Sequence, residues 1–169
     1  MICFKKVILL ILFSTSLSVS ANQDITFTKL NIALKDYSNK IEKCDSSKIK
    51  IEIDLVADKS AIEVILTNPA VLSYLSEKAM NECLQPQKGI LAETILYTKE
   101  EAESSPAYQL GLKTQKTVFT PDFEVENSFN ELSEPHRNAL LSIKNINFPF
   151  DAFHLYESAI DSSNSNKAM

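Results

Sequence analysis

Any chemistry in this chain would have to come from two histidines, three cysteines and scattered serines and carboxylates. His136 and His154 each lack a second His or Cys at metal-ligand spacing, so both read as helix-face residues rather than ligands. No serine sits in a G-x-S-x-G turn, the strained geometry that exposes a nucleophile. Gly89 and Gly111 are the only glycines, so no glycine-rich loop can cradle a phosphate. The cysteines lack C-x-x-C spacing, which argues against disulfide-exchange chemistry. Glu100, Glu101 and Glu103 have no ordered ligand spacing and read as a solvated acidic loop, not an acid/base or calcium cluster. Phe123, Phe129, Phe148, Phe150 and Phe153 admit a binding surface, but packing of the C-terminal helices is the favoured reading. No catalytic residue, cofactor or metal is therefore assigned, and the chain is expected not to be an enzyme.

The amino terminus points to export. Lys5 and Lys6 precede the apolar run 7–13, and Val19-Ser20-Ala21 fits the small-residue cleavage pattern of a secretory signal peptide. The apolar run is too short for an uncleaved span, which needs about 20 residues. Cleavage after Ala21 would leave residues 22–169, with 15 basic against 22 acidic side chains and no basic cluster. That balance argues against nucleic acid and against membrane insertion of the mature chain, and the predicted location is periplasmic. Cys44 and Cys83 are the only cysteines left, and an even pair in an exported chain predicts one disulfide. Closing that loop would restrict the unfolded chain by roughly 3–4 kcal/mol.

These residues need elements to hold them. Phe27, Leu30, Leu34, Tyr37, Ile41 and Cys44 recur at spacings of three and four, predicting a first helix. Ile49, Ile51, Ile53 and Leu55 then alternate with Lys48, Lys50, Glu52 and Asp54, the pattern of a half-buried antiparallel strand. Residues 57–60 should turn the chain. Residues 60–67 admit two readings. Ser60-x-x-Glu63 is a capping-box pattern, whereas the β-branched Ile62, Val64, Ile65 and Thr67 favour a second strand. Asn68-Pro69 starts a helix with Leu72, Leu75, Ala79 and Cys83 on one face, ended by Gln85-Pro86. Residues 90–98 read as a third strand, 99–106 as a loop and 117–119 as a short strand. Ser133 and Asp151 start two further helices, and residues 161–169 read as a disordered polar tail. The predicted class is α+β: a small antiparallel sheet with two packed helices, followed by a helical C-terminal extension. The predicted organisation is a signal peptide over 1–21, an α+β domain over 22–104, a linker and helical extension over 105–160, and the tail.

The succession KIKIEIDLV, ADKS, AIEVILTN, PAVLSYLSEKAMNECLQP and ILAETILYT resembles the C-terminal periplasmic domain of the TonB and TolA proteins. The resemblance spans residues 28–98. It departs from that family at Lys59, where the family turn has glycine, and in lacking the long spacer and the uncleaved anchor. It implies contact by backbone pairing at a sheet edge, on the strand over 90–98, with Glu93 and Thr94 facing outward as partner-binding positions. The function expected is that of a non-enzymatic protein–protein interaction module of a bacterial envelope, whose partner is another envelope protein. The alternative is a small acidic periplasmic inhibitor or immunity-type protein that blocks a basic target.

Overall fold

The structure is a computed structural model that describes residues 25–54 and 59–165. Residues 1–24, which include the proposed signal peptide, residues 55–58, which end the expected strand and begin the expected turn over 57–60, and residues 166–169 lie outside the described residues. Seven helices make up almost all of the rest: α1 over residues 25–46, α2 Lys59–Thr67, α3 Ala70–Thr98, α4 Pro106–Val118, α5 Phe123–Asn130, α6 Glu134–Ser142 and α7 Ala152–Ser165. Among the described residues the one β pairing is an isolated parallel bridge between Ile49 and Phe150. The α+β class and the antiparallel sheet are therefore overturned, and the TonB/TolA-like reading falls with them, since a helical chain has no sheet to match.

Each failed strand has its own physical reason. Over 60–67, Ala61, Ile62, Val64 and Ile65 are all buried, which suits a short helix enclosed on most sides better than a half-exposed pleat. Tertiary burial outweighs the β-branched preference there. Pro86 does not stop α3, because a proline removes one amide donor and the flanking turns continue. Past it, Leu91, Ile95 and Thr98 are buried at spacings of four and three, so residues 90–98 form a helix face rather than a strand. Residues 117–119 close α4, with the Phe119 amide capping onto the Gln115 carbonyl. Residues 48–54 are extended as the alternation requires, but they lie alone. Ile51 and Ile53 are buried while Lys50 and Glu52 are exposed, and the segment is anchored by residues 149–151 and by serines of α7.

The chain divides into two compact units. The first, over residues 25–38 and 87–120, takes parts of α1 and α3 together with α4. Its buried core is small: Leu30, Ala33, Leu91 and Ile95, with Leu34, Tyr37, Leu110, Val118 and Phe119 packed against them. Ser105 caps α4 by accepting the Tyr108 amide at 3.1 Å. Gly111 of α4 meets Thr98 of α3 so closely that there is no room for a Cβ.

The second unit, over residues 39–86 and 121–165, holds the larger core, including Ile51, Ile65, Leu75, Leu140, Phe150 and Leu155. Its helix α2 packs against α6 and α7. Tyr74 stacks on Phe129 with ring centroids 4.6 Å apart. Cys44 and Cys83 form a disulfide across 39 residues of sequence with Cα atoms 6.2 Å apart. Among the described residues, no helix is long and apolar enough to cross a membrane.

Candidate interaction surface

Glu93 and Thr94 sit in the last two turns of α3, not on a sheet edge. A helix places residues three, four and seven apart on one face, so Ile90, Glu93, Thr94 and Tyr97 share a face. Ile90 and Tyr97 are each 55% exposed, and Leu96 beside them is 61% exposed. The Thr94 hydroxyl donates to the Ile90 carbonyl at 2.8 Å, turning its polar atom back into the helix. The Tyr97 hydroxyl lies 3.4 Å from Glu93 Oε1, a loose contact that leaves the ring in water. The result is an apolar pair, Ile90 and Tyr97, on the face that holds Glu93, with Leu96 exposed on the adjoining face.

Other apolar side chains of the same unit are exposed too: Ile25, Phe27 and Ile32 on α1, and Leu112 on α4. The first unit thus holds seven of the twelve exposed large hydrophobics among the described residues, on about half as much chain as the second. An open cleft of about 490 Å³ lies between the end of α3 and α4 in this unit, lined by Ile95, Thr98, Lys99, Tyr108 and Leu112, with Glu101 and Glu103 at its rim. The acidic loop of the sequence reading therefore borders a cleft. Among the described residues, no group of three His, Cys, Asp or Glu side chains is arranged to hold a metal.

Neither histidine lines this cleft. His136 lies half-buried in the first turn of α6. His154 has a partner that spacing could not reveal: Glu52, 102 residues away, at 2.8 Å between Nε2 and Oε1. The other carboxylate oxygen of Glu52 accepts from the Ser158 hydroxyl at 3.2 Å, and that hydroxyl in turn accepts the Ile53 amide at 3.1 Å. The hydrogen bonds from His154 and then Ser158 hold the Glu52 carboxyl below its ordinary range. This is not a nucleophile–base pair. Ser158 is spent on the carboxylate and the backbone, and nothing orients His154 toward it. The three side chains instead clamp the extended segment to α7.

The C-terminal phenylalanines split. Phe129 and Phe150 are buried as expected, whereas Phe123, Phe148 and Phe153 are exposed. No family model, no curated protein and no solved structure matches this chain. The resemblance to the TonB and TolA domain thus has support from neither fold nor family.

Proposed function

We propose that the chain is an exported, non-enzymatic protein–protein interaction module, held together by one disulfide, whose contact surface is the outer face of α3 in the first unit. The observation that carries this is the exposed apolar pair Ile90 and Tyr97 on one face of α3, with the exposed Leu96 on the adjoining face, on a unit whose buried apolar cluster among the described residues is small. Isolated exposed apolar residues are ordinary, but a concentration on one small unit is what a protein-binding patch leaves in the unbound state. Aromatic and aliphatic anchors at the centre of such a patch contribute most of the affinity. The charge distribution supports the same surface. Residues 25–38 and 87–120 carry six basic and five acidic side chains, so the patch sits in a nearly neutral field. The amino-terminal sequence and the disulfide support export to an oxidising compartment such as the periplasm.

The test is capture from an envelope extract with the mature chain and two variants. Leu96→Asp with Tyr97→Ser alters only exposed side chains and should leave the fold intact, within about 0.5 kcal/mol. It should lose the partner that the unaltered chain retains. Phe153→Ser, at an exposed residue of the second unit, should retain it. Equal capture by all three proteins would show that the α3 face is not the contact.

A further inference from the structure

The extended segment over residues 48–54 has one occupied edge; on the other, the Lys48 amide donates to the Asp45 carbonyl at 3.2 Å, and the unpaired backbone groups are those of Lys50 and Glu52. On the occupied edge, Ile49 donates its amide to the Pro149 carbonyl and accepts from the Asp151 amide, both at 3.0 Å. Ile53 donates to Ser158 Oγ at 3.1 Å and its carbonyl accepts from Ser162 Oγ at 3.5 Å. Successive residues of an extended chain direct their backbone groups to opposite edges. Lys50 and Glu52, of the other parity, therefore present N–H and C=O groups away from α7. Among the described residues, none of these four groups has a hydrogen-bond partner, and both residues are exposed.

The side chains beside this edge say what fits it. Their order is Lys48, Lys50, Glu52, Asp54. An antiparallel copy centred on Ile51 sets Lys50 opposite Glu52 at both crossings, each a pair of unlike charge; Lys48 is already paired with Asp45 at 2.6 Å, so the charge match rests on Lys50 and Glu52. A shift of two residues either way sets Lys50 or Glu52 opposite itself, and a parallel copy in register pairs like with like throughout. Opposite charges directly across a strand pair stabilise it and like charges destabilise it.

We propose that residues 48–54 form a self-association edge that takes a second copy of this chain, antiparallel about Ile51. Lys50 and Glu52 of each copy exchange both backbone hydrogen bonds with Glu52 and Lys50 of the other. The contact is isologous and closes at two copies, so it does not propagate into a fibre. The Glu52 clamp to His154 and Ser158 holds the strand rigid in the geometry that pairing needs, which lowers the ordering cost of association. This contact belongs to the second unit and does not depend on the α3 surface.

The experiment is sedimentation equilibrium on the oxidised mature chain from about 10 µM to about 1 mM, since a short edge buries less than a standard interface. Salt is kept at about 0.15 M to screen the repulsion between acidic units. The unaltered chain should show a monomer–dimer equilibrium. Lys50→Glu should weaken it roughly tenfold by placing like charges opposite each other twice. Lys50→Pro should abolish it by removing an amide that the monomer leaves unused, with the thermal midpoint of the dilute protein unchanged. Amide exchange at Lys50 and Glu52 should slow with protein concentration while exchange at Ile49 and Ile53 does not. The Leu96→Asp, Tyr97→Ser variant should dimerise normally. A chain that is monomeric to about 1 mM, exchange at Lys50 and Glu52 that ignores concentration, or a dimer lost only in the α3 variant would each overturn the proposal. Should Lys50→Pro not fold, Lys50→Glu and the exchange data decide it by themselves.

Discussion

Adding one methyl group at each glycine should have opposite effects on stability. Gly89 and Gly111 both lie inside helices, and neither has a positive φ. Replacing a helix-interior glycine by alanine gains about 1 kcal/mol, because the unfolded chain loses freedom and the helix does not. At Gly89 a Cβ would meet nothing within 4 Å, so that gain is unopposed and Gly89→Ala should stabilise by roughly 0.5–1 kcal/mol. At Gly111 the same Cβ would run into Thr98 Oγ1 and come within 3.0 Å of Thr98 Cβ. Thr98 cannot easily yield. It is 1% exposed, its hydroxyl donates to the Ile95 carbonyl at 2.7 Å, and a β-branched side chain is stiff at χ1. Overpacking costs about 1–3 kcal/mol, and disturbing the buried hydrogen bond about 1 kcal/mol more. Set against the propensity gain, Gly111→Ala should be destabilised by roughly 1–3 kcal/mol. Guanidinium titration followed by far-UV circular dichroism, with the disulfide intact, reads both variants. Adding Thr98→Ala to Gly111→Ala removes Oγ1 and Cγ2 and should recover part of the loss. Gly111→Ala as stable as the unaltered chain would refute the close approach of α4 to α3.

Two further perturbations test the second unit. Cleaving the Cys44–Cys83 bridge, or replacing both cysteines by serine, should lower stability by roughly 3–4 kcal/mol in the loop-entropy account, measured by the same titration with and without reductant. The Glu52 carboxyl is held low in the folded state, so its contribution is present above its unfolded titration range and is lost as pH falls through the lower folded one. His154→Ala removes the larger cause. In a carbon-detected NMR titration, Glu52 should then titrate closer to the ordinary carboxylate range, and an unmoved titration would count against the clamp.

Features set by neighbouring residues were legible in the sequence. The three-and-four spacing from Leu30 to Cys44 gave α1. Asp151 starts α7 as expected, accepting the amides of Phe153 and His154 at 3.1 Å. Asn68-Pro69 marks the start of α3, and the Asn68 side-chain nitrogen donates to the Ser128 carbonyl at 3.2 Å. The Lys48 to Asp54 alternation was a true sign of an extended, half-buried segment. What alternation does not carry is the identity of whatever covers the apolar face, and here it is helices, not a second strand. That one ambiguity produced the sheet, drew residues 60–67 and 90–98 into it, and suggested a family. The helical spacing of Leu91, Ile95 and Thr98 was present throughout and was masked by the proline before it. The Glu52–His154–Ser158 cluster was beyond reach, because 102 residues separate its ends and only the fold brings them together.

The central claim is that the outer face of α3 is where this protein meets its partner. Photo-crosslinking in the cells that produce the chain addresses it directly, with a benzophenone side chain placed in turn at Ile90, Leu96 and Tyr97, and at Phe123 and Phe153 of the second unit as comparison. All five positions are more than half exposed, so each should accept the probe without unfolding. The account predicts one shared adduct from the three α3 positions and none of that mass from Phe123 or Phe153. Adducts confined to the second unit, with the α3 positions silent, would contradict it.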